Sequence, residues 1–328
     1  MNSPTLQLAI VPIAALALVA VSLPRALAQD YPSRPITLVV PLGPGGAMDV
    51  ISRVLGQRLT ERLGKPVVIE NRTGGATVTA AVAVAKAAPD GHTLLNAPSG
   101  TLSTNVALHK ALPYDPPKDF VPIALYAKIP FVLSVNPSLP VHSVADLARL
   151  AKDRPVSYGS TGTGSVQHLA GELLKRRLGV EMTHVPYRGV MQSLTDLAAG
   201  HVQVAFASPD SGMALIKEGT VRPLGVSTLT RVNVLPDIPP LTEAGIPGFE
   251  AVGWHLIVAP AATPPEIVGK LHSEIKRIMA APEIVRQIAD MGLLPIDTPP
   301  VEELRQFVRT EIAHWGALVQ QAGITGTQ

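Results

Sequence analysis

Cysteine is absent from all 328 residues of the chain, and charged and aromatic residues are sparse, at 16% and 4%. The lack of cysteine excludes disulfides, thiolate zinc sites and cysteine nucleophiles. Basic residues exceed acidic ones only narrowly, 27 against 25, so no basic patch indicates nucleic-acid binding. The 46% of hydrophobic residues favours a compact protein over a disordered one.

Several motifs of cofactor binding and catalysis are missing as well. Gly43-x-Gly45 lacks the third glycine of a dinucleotide fingerprint, and no Gly-Lys-Ser/Thr follows it to form a P-loop. No Gly-x-Ser-x-Gly elbow occurs, and the nine histidines form no close pair with metal-ligand spacing. We therefore expect no cofactor, no metal site and no enzymatic activity.

The N-terminus carries an apolar run from Leu8 to Leu23, followed by Ala26-Leu27-Ala28. This pattern predicts a signal peptide of residues 1–28, cleaved after Ala28, and hence a periplasmic protein. Residues 1–7 contain no lysine or arginine, so a retained N-terminal anchor is the alternative.

Strand-like and helix-like patterns alternate along the rest of the chain. A buried run from Ile36 to Pro41 precedes a helical face from Val50 to Leu63, and similar pairs follow. Such alternation predicts parallel sheets, and because it starts again at Val132 we expect two of them. Capping boxes beginning at Ser143 and Thr263 predict two of the helix starts.

The most informative loop is Pro41–Asp49, where a predicted strand ends in glycines and a helix begins. Unpaired N–H groups at a helix start attract an anion, and glycines let a ligand approach the backbone. Asp49 could cap these amides or hold a water or an ammonium group. A tight turn with a helix-favouring aspartate is the alternative. The candidate ligand-binding residues here are Gly43, Gly45, Gly46, Ala47 and Asp49.

Three more strand–loop–helix junctions repeat this design. Hydroxyls and glycines in Tyr158–Ser165 can hydrogen-bond a carboxylate, although a merely flexible loop would have the same composition. Loops at the carboxyl ends of parallel strands are where α/β folds bind ligands. The candidates in these junctions are Ser99, Gly100, Thr101, Ser160, Gly162, Thr163, Gly164, Ser165, Ala207, Ser208 and Asp210.

Ser165, His168 and Glu172 fall at helical spacing, which raises the alternative of a secreted serine hydrolase that uses Ser165 or Ser208. Neighbours on one helix rarely align a hydroxyl with an imidazole, so the spacing is a poor triad. His168 is therefore interpreted as a packed or ligand-lining histidine. Tyr187, at a predicted strand end, is a candidate for lining the ligand cleft, or it fills core space.

A series of ordered segments extends over the mature chain: Tyr31–Ile36, Val40–Asp49, Val68–Arg72, Pro89–Leu95, Tyr114–Phe120, Gly162–Glu172, His184–Gly189, and Trp254 before Ala259–Ala261. With these segments the chain resembles the Bug or TctC-type receptors of tripartite tricarboxylate transporters. One departure is the loop Thr73–Ala80, where the family usually has proline and several glycines.

The resemblance implies an α/β, periplasmic-binding-protein-like fold. Two Rossmann-like lobes with parallel-rich sheets would surround a central cleft and be joined by crossing strands. We expect the first lobe at 29–130 plus 251–328 and the second at 131–250. The loop Pro41–Asp49 would face Ser160–Ser165 and grip a ligand carboxylate through backbone amides, hydroxyls and ordered waters.

The implied function is that of an extracytoplasmic solute receptor. Its ligand would be a small mono- or dicarboxylate, an aromatic acid or an amino acid, delivered to membrane transporter subunits of the TctA and TctB type. A receptor that presents its ligand to a sensor kinase is the alternative. We expect a monomer without a nucleic-acid partner.

Overall fold

The computed structural model describes residues 31–328, and the predicted signal peptide lies outside the described residues. The strands are β1 (Ile36–Val40), β2 (Val67–Asn71), β3 (Thr93–Pro98), β4 (Phe120–Ile129), β5 (Val132–Val135), β6 (Ser157–Ser160), β7 (Thr183–Pro186), β8 (Val204–Ala207), β9 (Arg222–Val226), β10 (Gly253–Pro260) and β11 (Leu294–Pro295).

The helices between and after these strands are α1 (Ala47–Leu63), α2 (Val78–Ala85), α3 (Asn105–Leu108), α4 (Pro116–Asp119), α5 (Val144–Asp153), α6 (Val166–Leu178), α7 (Val190–Ala199), α8 (Pro209–Lys217), α9 (Pro265–Met279), α10 (Pro282–Asp290) and α11 (Val301–Gln321). A 3-10 turn at Gly75–Thr77 and a π-helical turn at Gly100–Thr104 precede α2 and α3. Within residues 31–328, no helix combines the length and apolarity needed to cross a membrane.

The first sheet has the strand order β11-β4-β10-β3-β1-β2. β1 is parallel to β2 and β3, whereas β10 is antiparallel to β3 and β4. The sheet is therefore mixed, and the predicted parallel pairing is found only among β1, β2 and β3, because β10 re-enters the sheet from the second sheet and not through a crossover helix. The carboxyl ends of β1, β2 and β3 share one edge, which we call the first carboxyl edge.

The second sheet has the order β7-β6-β8-β5-β9. β6 is parallel to β7 and β8, and β5 is antiparallel to β8 and β9. This sheet is mixed as well, and the carboxyl ends of β6, β7 and β8 form a second carboxyl edge. The strands of residues 36–129 and 253–295 lie in the first sheet and those of 132–226 in the second. The lobe boundaries at 130 and 251 stay a prediction.

The last helix, α11, packs against the cores of both sheets. Leu304 and Val308 lie in the core of the first sheet, whereas Trp315 and Val319 lie in the core of the second. A helix of 21 residues is about 30 Å long, which is enough to reach from one core to the other.

Two local predictions have opposite outcomes. The helix start predicted at Ser143 is confirmed, because its hydroxyl accepts the N–H of Asp146 at the start of α5, although Asp146 accepts in turn the N–H of His142 and not that of Ser143. The capping box at Thr263 is wrong: α9 has Pro264 as its N-cap, and the Thr263 hydroxyl donates to the carbonyl of Pro260 (2.7 Å). A threonine side chain competes for nearby backbone carbonyls in this way at chain turns.

Candidate functional site

The loop between β1 and α1 presents an uncapped helix start. Gly43, Gly45 and Gly46 are exposed, and Gly45 has φ +90, a conformation that favours glycine. Gly46 is the N-cap of α1 and supplies no side-chain hydrogen bond. The N–H groups of the first turn, beginning at Ala47, are therefore available to an anion.

Asp49 lies in this first turn and is only 3% exposed. Its carboxylate accepts hydrogen bonds from the N–H of Gly45 (3.0 Å), from the amide of Asn71 (2.9 Å) and from two nitrogens of Arg53 (2.9 Å each). Burial raises the pKa of Asp49, but these hydrogen bonds outweigh burial and hold the pKa below its ordinary value. Asp49 thus fixes the loop at Gly45 and leaves the helix without a side-chain cap.

Asn71 joins the same loop to the end of β2. Its amide nitrogen donates to the carbonyl of Leu42 (3.0 Å), and its carbonyl oxygen accepts from Arg53 (3.0 Å). Asn71 and Arg53 were missed as site residues. Arg53 stands four residues after Asp49, a spacing that could have identified it.

The loop Thr73–Ala80 packs on the junction Ser99–Thr101 that follows β3. The hydroxyls of Thr77 and Thr101 are 2.6 Å apart, and the carbonyl of Ala76 accepts from Asn105 (3.1 Å). Ala76 and Thr77 have φ values of 50 and 78, which are strained for residues with a side chain. Thr101 is fully buried, and the predicted ligand contacts Ser99 and Gly100 beside it are buried and half-buried.

The second glycine-rich loop, between β6 and α6, holds itself together by local hydrogen bonds. The buried hydroxyl of Ser160 accepts the N–H of Gly162 (3.0 Å) and lies 2.6 Å from Nε2 of His184. The hydroxyl of Ser165 caps α6 by accepting the N–H of His168 (3.2 Å). Thr163 lies between them and is half-buried.

His168 is buried beneath this loop. Its Nδ1 accepts the N–H of Gly164 (3.0 Å), which places the proton of the neutral ring on Nε2. Burial lowers the pKa of His168, and burial together with the His168 ring lowers the pKa of His184 to about 4. His168 is therefore a neutral support of the loop.

The remaining candidates lie along the second carboxyl edge. Tyr187 donates its backbone N–H to the carbonyl of Ser160 (2.9 Å) and its hydroxyl to Asp196 (2.7 Å). Burial, and then Asp196, raise the pKa of Tyr187 to about 12. At the end of β8, Ala207 is buried and Asp210 is exposed, and Ser208 is the N-cap of α8 with no side-chain capping bond, its hydroxyl lying 3.5 Å from that of Ser211.

The two carboxyl edges approach each other at Gly164 and Leu108. Leu108 ends α3, beyond the first-edge turn Gly100–Thr104, and a Cβ on Gly164 would overlap its side chain. Gly164 has φ +78, so a glycine satisfies both the backbone angle and the close contact. This contact brings the loop Ser160–Ser165 against the segment that follows Ser99–Thr101.

The catalytic alternative does not fit this geometry. The hydroxyl of Ser165 accepts from the backbone N–H of His168 and not from its imidazole, while His168 Nδ1 is occupied by Gly164. Glu172 accepts a hydrogen bond from Tyr158 (2.5 Å). A serine nucleophile needs a side-chain base within hydrogen-bond reach. Among residues 31–328, Ser165 accepts the backbone N–H of His168 and the hydroxyl of Ser208 lies near that of Ser211, so neither serine contacts such a base.

Comparison with known proteins identifies the family to which the chain is similar. A family model described as the tripartite tricarboxylate transporter family receptor, TctC, matches residues 51–324. The chain belongs to this family. TctC proteins are substrate-binding receptors and not enzymes, so the hydrolase alternative is excluded, and the family implies a periplasmic location.

Solved structures support the assignment to the TctC family. R. palustris Rpa4515 with adipate is 38% identical to this chain, with a TM-score of 0.83 over 90% of this chain and 99% of that one. The periplasmic binding protein BugD is 31% identical, with a TM-score of 0.79 over 90% and 99%. MatC (Rpa3494) from Rhodopseudomonas palustris with bound malate is 33% identical, with a TM-score of 0.77 over 88% and 100%. The predicted fold class, α/β and periplasmic-binding-protein-like, is confirmed.

Proposed function

We propose that this protein binds a small carboxylate between two lobes and delivers it to the TctA- and TctB-like membrane subunits of a tripartite transporter. The lobes are residues 29–130 with 251–328, and residues 131–250. The observation that carries the proposal is that each carboxyl edge has a glycine-rich helix start, and that Gly164 of the second edge contacts Leu108, which ends the segment following β3 of the first edge.

The chemistry of the two loops suits a carboxylate. The first loop offers the N–H groups at the start of α1, and the second offers the hydroxyl of Thr163 and the start of α6. Hydrogen bonds to an ionised carboxylate are stronger than those between neutral groups. Neutral donors therefore hold the anion firmly enough for capture and still release it. The adipate and malate bound by two relatives are both carboxylates.

The proposal is tested by removing one backbone donor. Ala47 is the first residue of α1 and follows Gly46 in an extended conformation (φ -75, ψ 166), so Ala47→Pro fits the helix and deletes only the N–H. We expect this variant to bind a carboxylate about tenfold more weakly or worse, because a hydrogen bond to a charged group is lost. Val301→Pro, at the first position of α11, is the matched control.

The binding assay uses the mature protein, unfolded and refolded to remove carried-over ligand. Thermal unfolding against straight-chain and aromatic acids, amino acids, sugars and neutral amides should give a selective rise with an acid, since a ligand stabilises the state it binds. No rise with any acid would contradict the proposal. Delivery is tested by uptake of that acid, labelled, in cells that contain the membrane subunits with and without this protein.

A further inference from the structure

Asp49 poses an electrostatic problem for an anion site. It lies in the first turn of the helix whose amides are proposed to bind the carboxylate, and its lowered pKa keeps it ionised at neutral pH. Like charges that share a site repel, and with little solvent around Asp49 (3% exposed) the repulsion is weakly screened. An unpaired Asp49 would therefore oppose the binding of any carboxylate.

Arg53 offsets the charge of Asp49 through a bidentate contact. Its Nε and one terminal nitrogen lie 2.9 Å from the two carboxylate oxygens of Asp49. Such a bidentate contact neutralises the negative charge of Asp49 and also fixes the orientation of its carboxylate. Asp49 can then hold the N–H of Gly45 without presenting a net negative charge to the loop.

Asn71 keeps the guanidinium of Arg53 in this position. It accepts from the same terminal nitrogen that reaches Asp49 (3.0 Å), and it donates both to Asp49 (2.9 Å) and to Leu42 (3.0 Å). The three side chains form one network that ends on the backbone of the loop.

A surface ion pair between residues four apart on a helix contributes little to stability. This pair differs from that ordinary case because Asp49 is buried, the contact is bidentate and a third side chain joins it. Arg58, further along α1, is the ordinary case: its side chain is about as exposed as that of Arg53 (45% against 52%), but its partners Glu61 and Glu283 are themselves 51% and 59% exposed and lie 3.5 Å and 3.6 Å away.

We propose that Arg53 is a positioning residue of the carboxylate site, which neutralises Asp49 and holds it on Gly45 so that a second anion can bind at the start of α1. This inference rests on the proposed function and assigns Arg53 no contact with the ligand. It implies that the charge balance of the pair, and not the arginine alone, sets the affinity.

The test is a double-mutant cycle of Arg53 and Asp49 in which calorimetry measures the affinity for an acid. The probe is whichever acid stabilises the wild-type protein in the thermal panel, titrated at low and at high salt into Arg53→Gln, Asp49→Asn and the double variant. Arg53→Gln should weaken binding about tenfold or more at low salt, and the loss should be smaller at high salt, because dissolved ions reach the exposed loop Gly43–Gly46 and screen part of the repulsion. The double variant should bind more tightly than Arg53→Gln, because no bare charge remains.

Two controls separate this role from a structural one. Arg58→Gln makes the same charge change on the same helix and should bind like wild type. Arg53→Lys keeps the positive charge but loses the bidentate contact, so its affinity should lie between those of wild type and Arg53→Gln. This variant keeps the test decisive if Arg53→Gln folds poorly.

The inference is overturned if Arg53→Gln binds like Arg58→Gln, or if the double variant binds no better than Arg53→Gln. Wild-type protein that binds no acid at all would overturn the proposed function, and this inference with it. Wild-type binding with an unaffected Arg53→Gln would overturn the inference alone.

Discussion

The imidazole ring of His168 stacks on that of His184, with 3.8 Å between the ring centroids and 17° between the ring planes. Tyr158 lies beside both rings, with its centroid 5.1 Å from that of His184 and 6.2 Å from that of His168, and it donates its hydroxyl to Glu172, which also accepts from Lys175. These rings form the floor beneath the loop Ser160–Ser165. Protonation would bring positive charge onto two imidazoles in direct contact. The stability of the protein should therefore fall when these histidines are protonated at acidic pH.

The first prediction concerns this sensitivity to acid. The pKa of His184 in the folded protein is about 4 against an ordinary 6.5, so the unfolded chain binds more protons between these values. The free energy of unfolding should therefore fall as the pH is lowered from 6.5 towards 4. His184→Gln should flatten this fall by up to one proton. The remaining pH dependence should persist in this variant, because burial also lowers the pKa values of His168 and His255.

Urea unfolding at several pH values measures this difference. His314→Gln, a change at an exposed histidine on α11, is the control and should leave the pH dependence as in wild type. Equal slopes for His184→Gln and wild type would contradict the account of the stacked pair.

The second prediction concerns the contact between the two carboxyl edges. Gly164→Ala forces a side chain into a φ of +78 and into the space of Leu108, and we expect it to destabilise the protein by about 2–5 kcal/mol. Gly179→Ala, with φ +62 and open space around it, should cost only about 1–2 kcal/mol. Thermal unfolding compares them, and equal losses would argue against the close contact.

The third prediction concerns Glu311, which links the two tryptophans of the chain. One carboxylate oxygen of Glu311 accepts the indole N–H of Trp254 (2.6 Å) and that of Trp315 (2.9 Å). Glu311→Ala leaves two buried donors unpaired and should cost about 1–3 kcal/mol or more. Glu311→Gln keeps an acceptor oxygen and should cost less.

Denaturant unfolding followed by tryptophan fluorescence checks the order of these variants. Glu303→Ala, on the exposed face of the same helix, should behave like wild type. If Glu311→Gln lost as much stability as Glu311→Ala, the shared acceptor would not explain the packing of α11.

The sequence predicts the strand–loop–helix junctions well, because glycine and proline end strands and start helices locally. The predicted restart of the pattern at Val132 coincides with the first residue of β5 (Val132–Val135). The ten-residue strand β4 was missed, since its residues do not alternate and Pro122 argues against a central strand. Pro122 is accommodated beside a register shift between β4 and β10.

The network around Asp49 is only partly readable from the sequence. Asp49 and Arg53 are one helical turn apart, so local spacing identifies them. Asn71 is a further 18 residues along the chain, and it reaches them only because β2 pairs with β1 in the register that sets Asn71 beside Val40. Pairing register depends on the whole sheet, which local patterns do not specify.

We propose that one carboxylate is held by helix-start amides from both carboxyl edges. The most direct test of this claim is an NMR titration of the backbone amides of residues 45–48 and 163–167 with the acid selected by the thermal panel. We predict that both groups of amides shift together, saturate with one dissociation constant, and stay unchanged with the matching neutral amide. Shifts confined to one loop, or equal shifts with the neutral analogue, would contradict the claim.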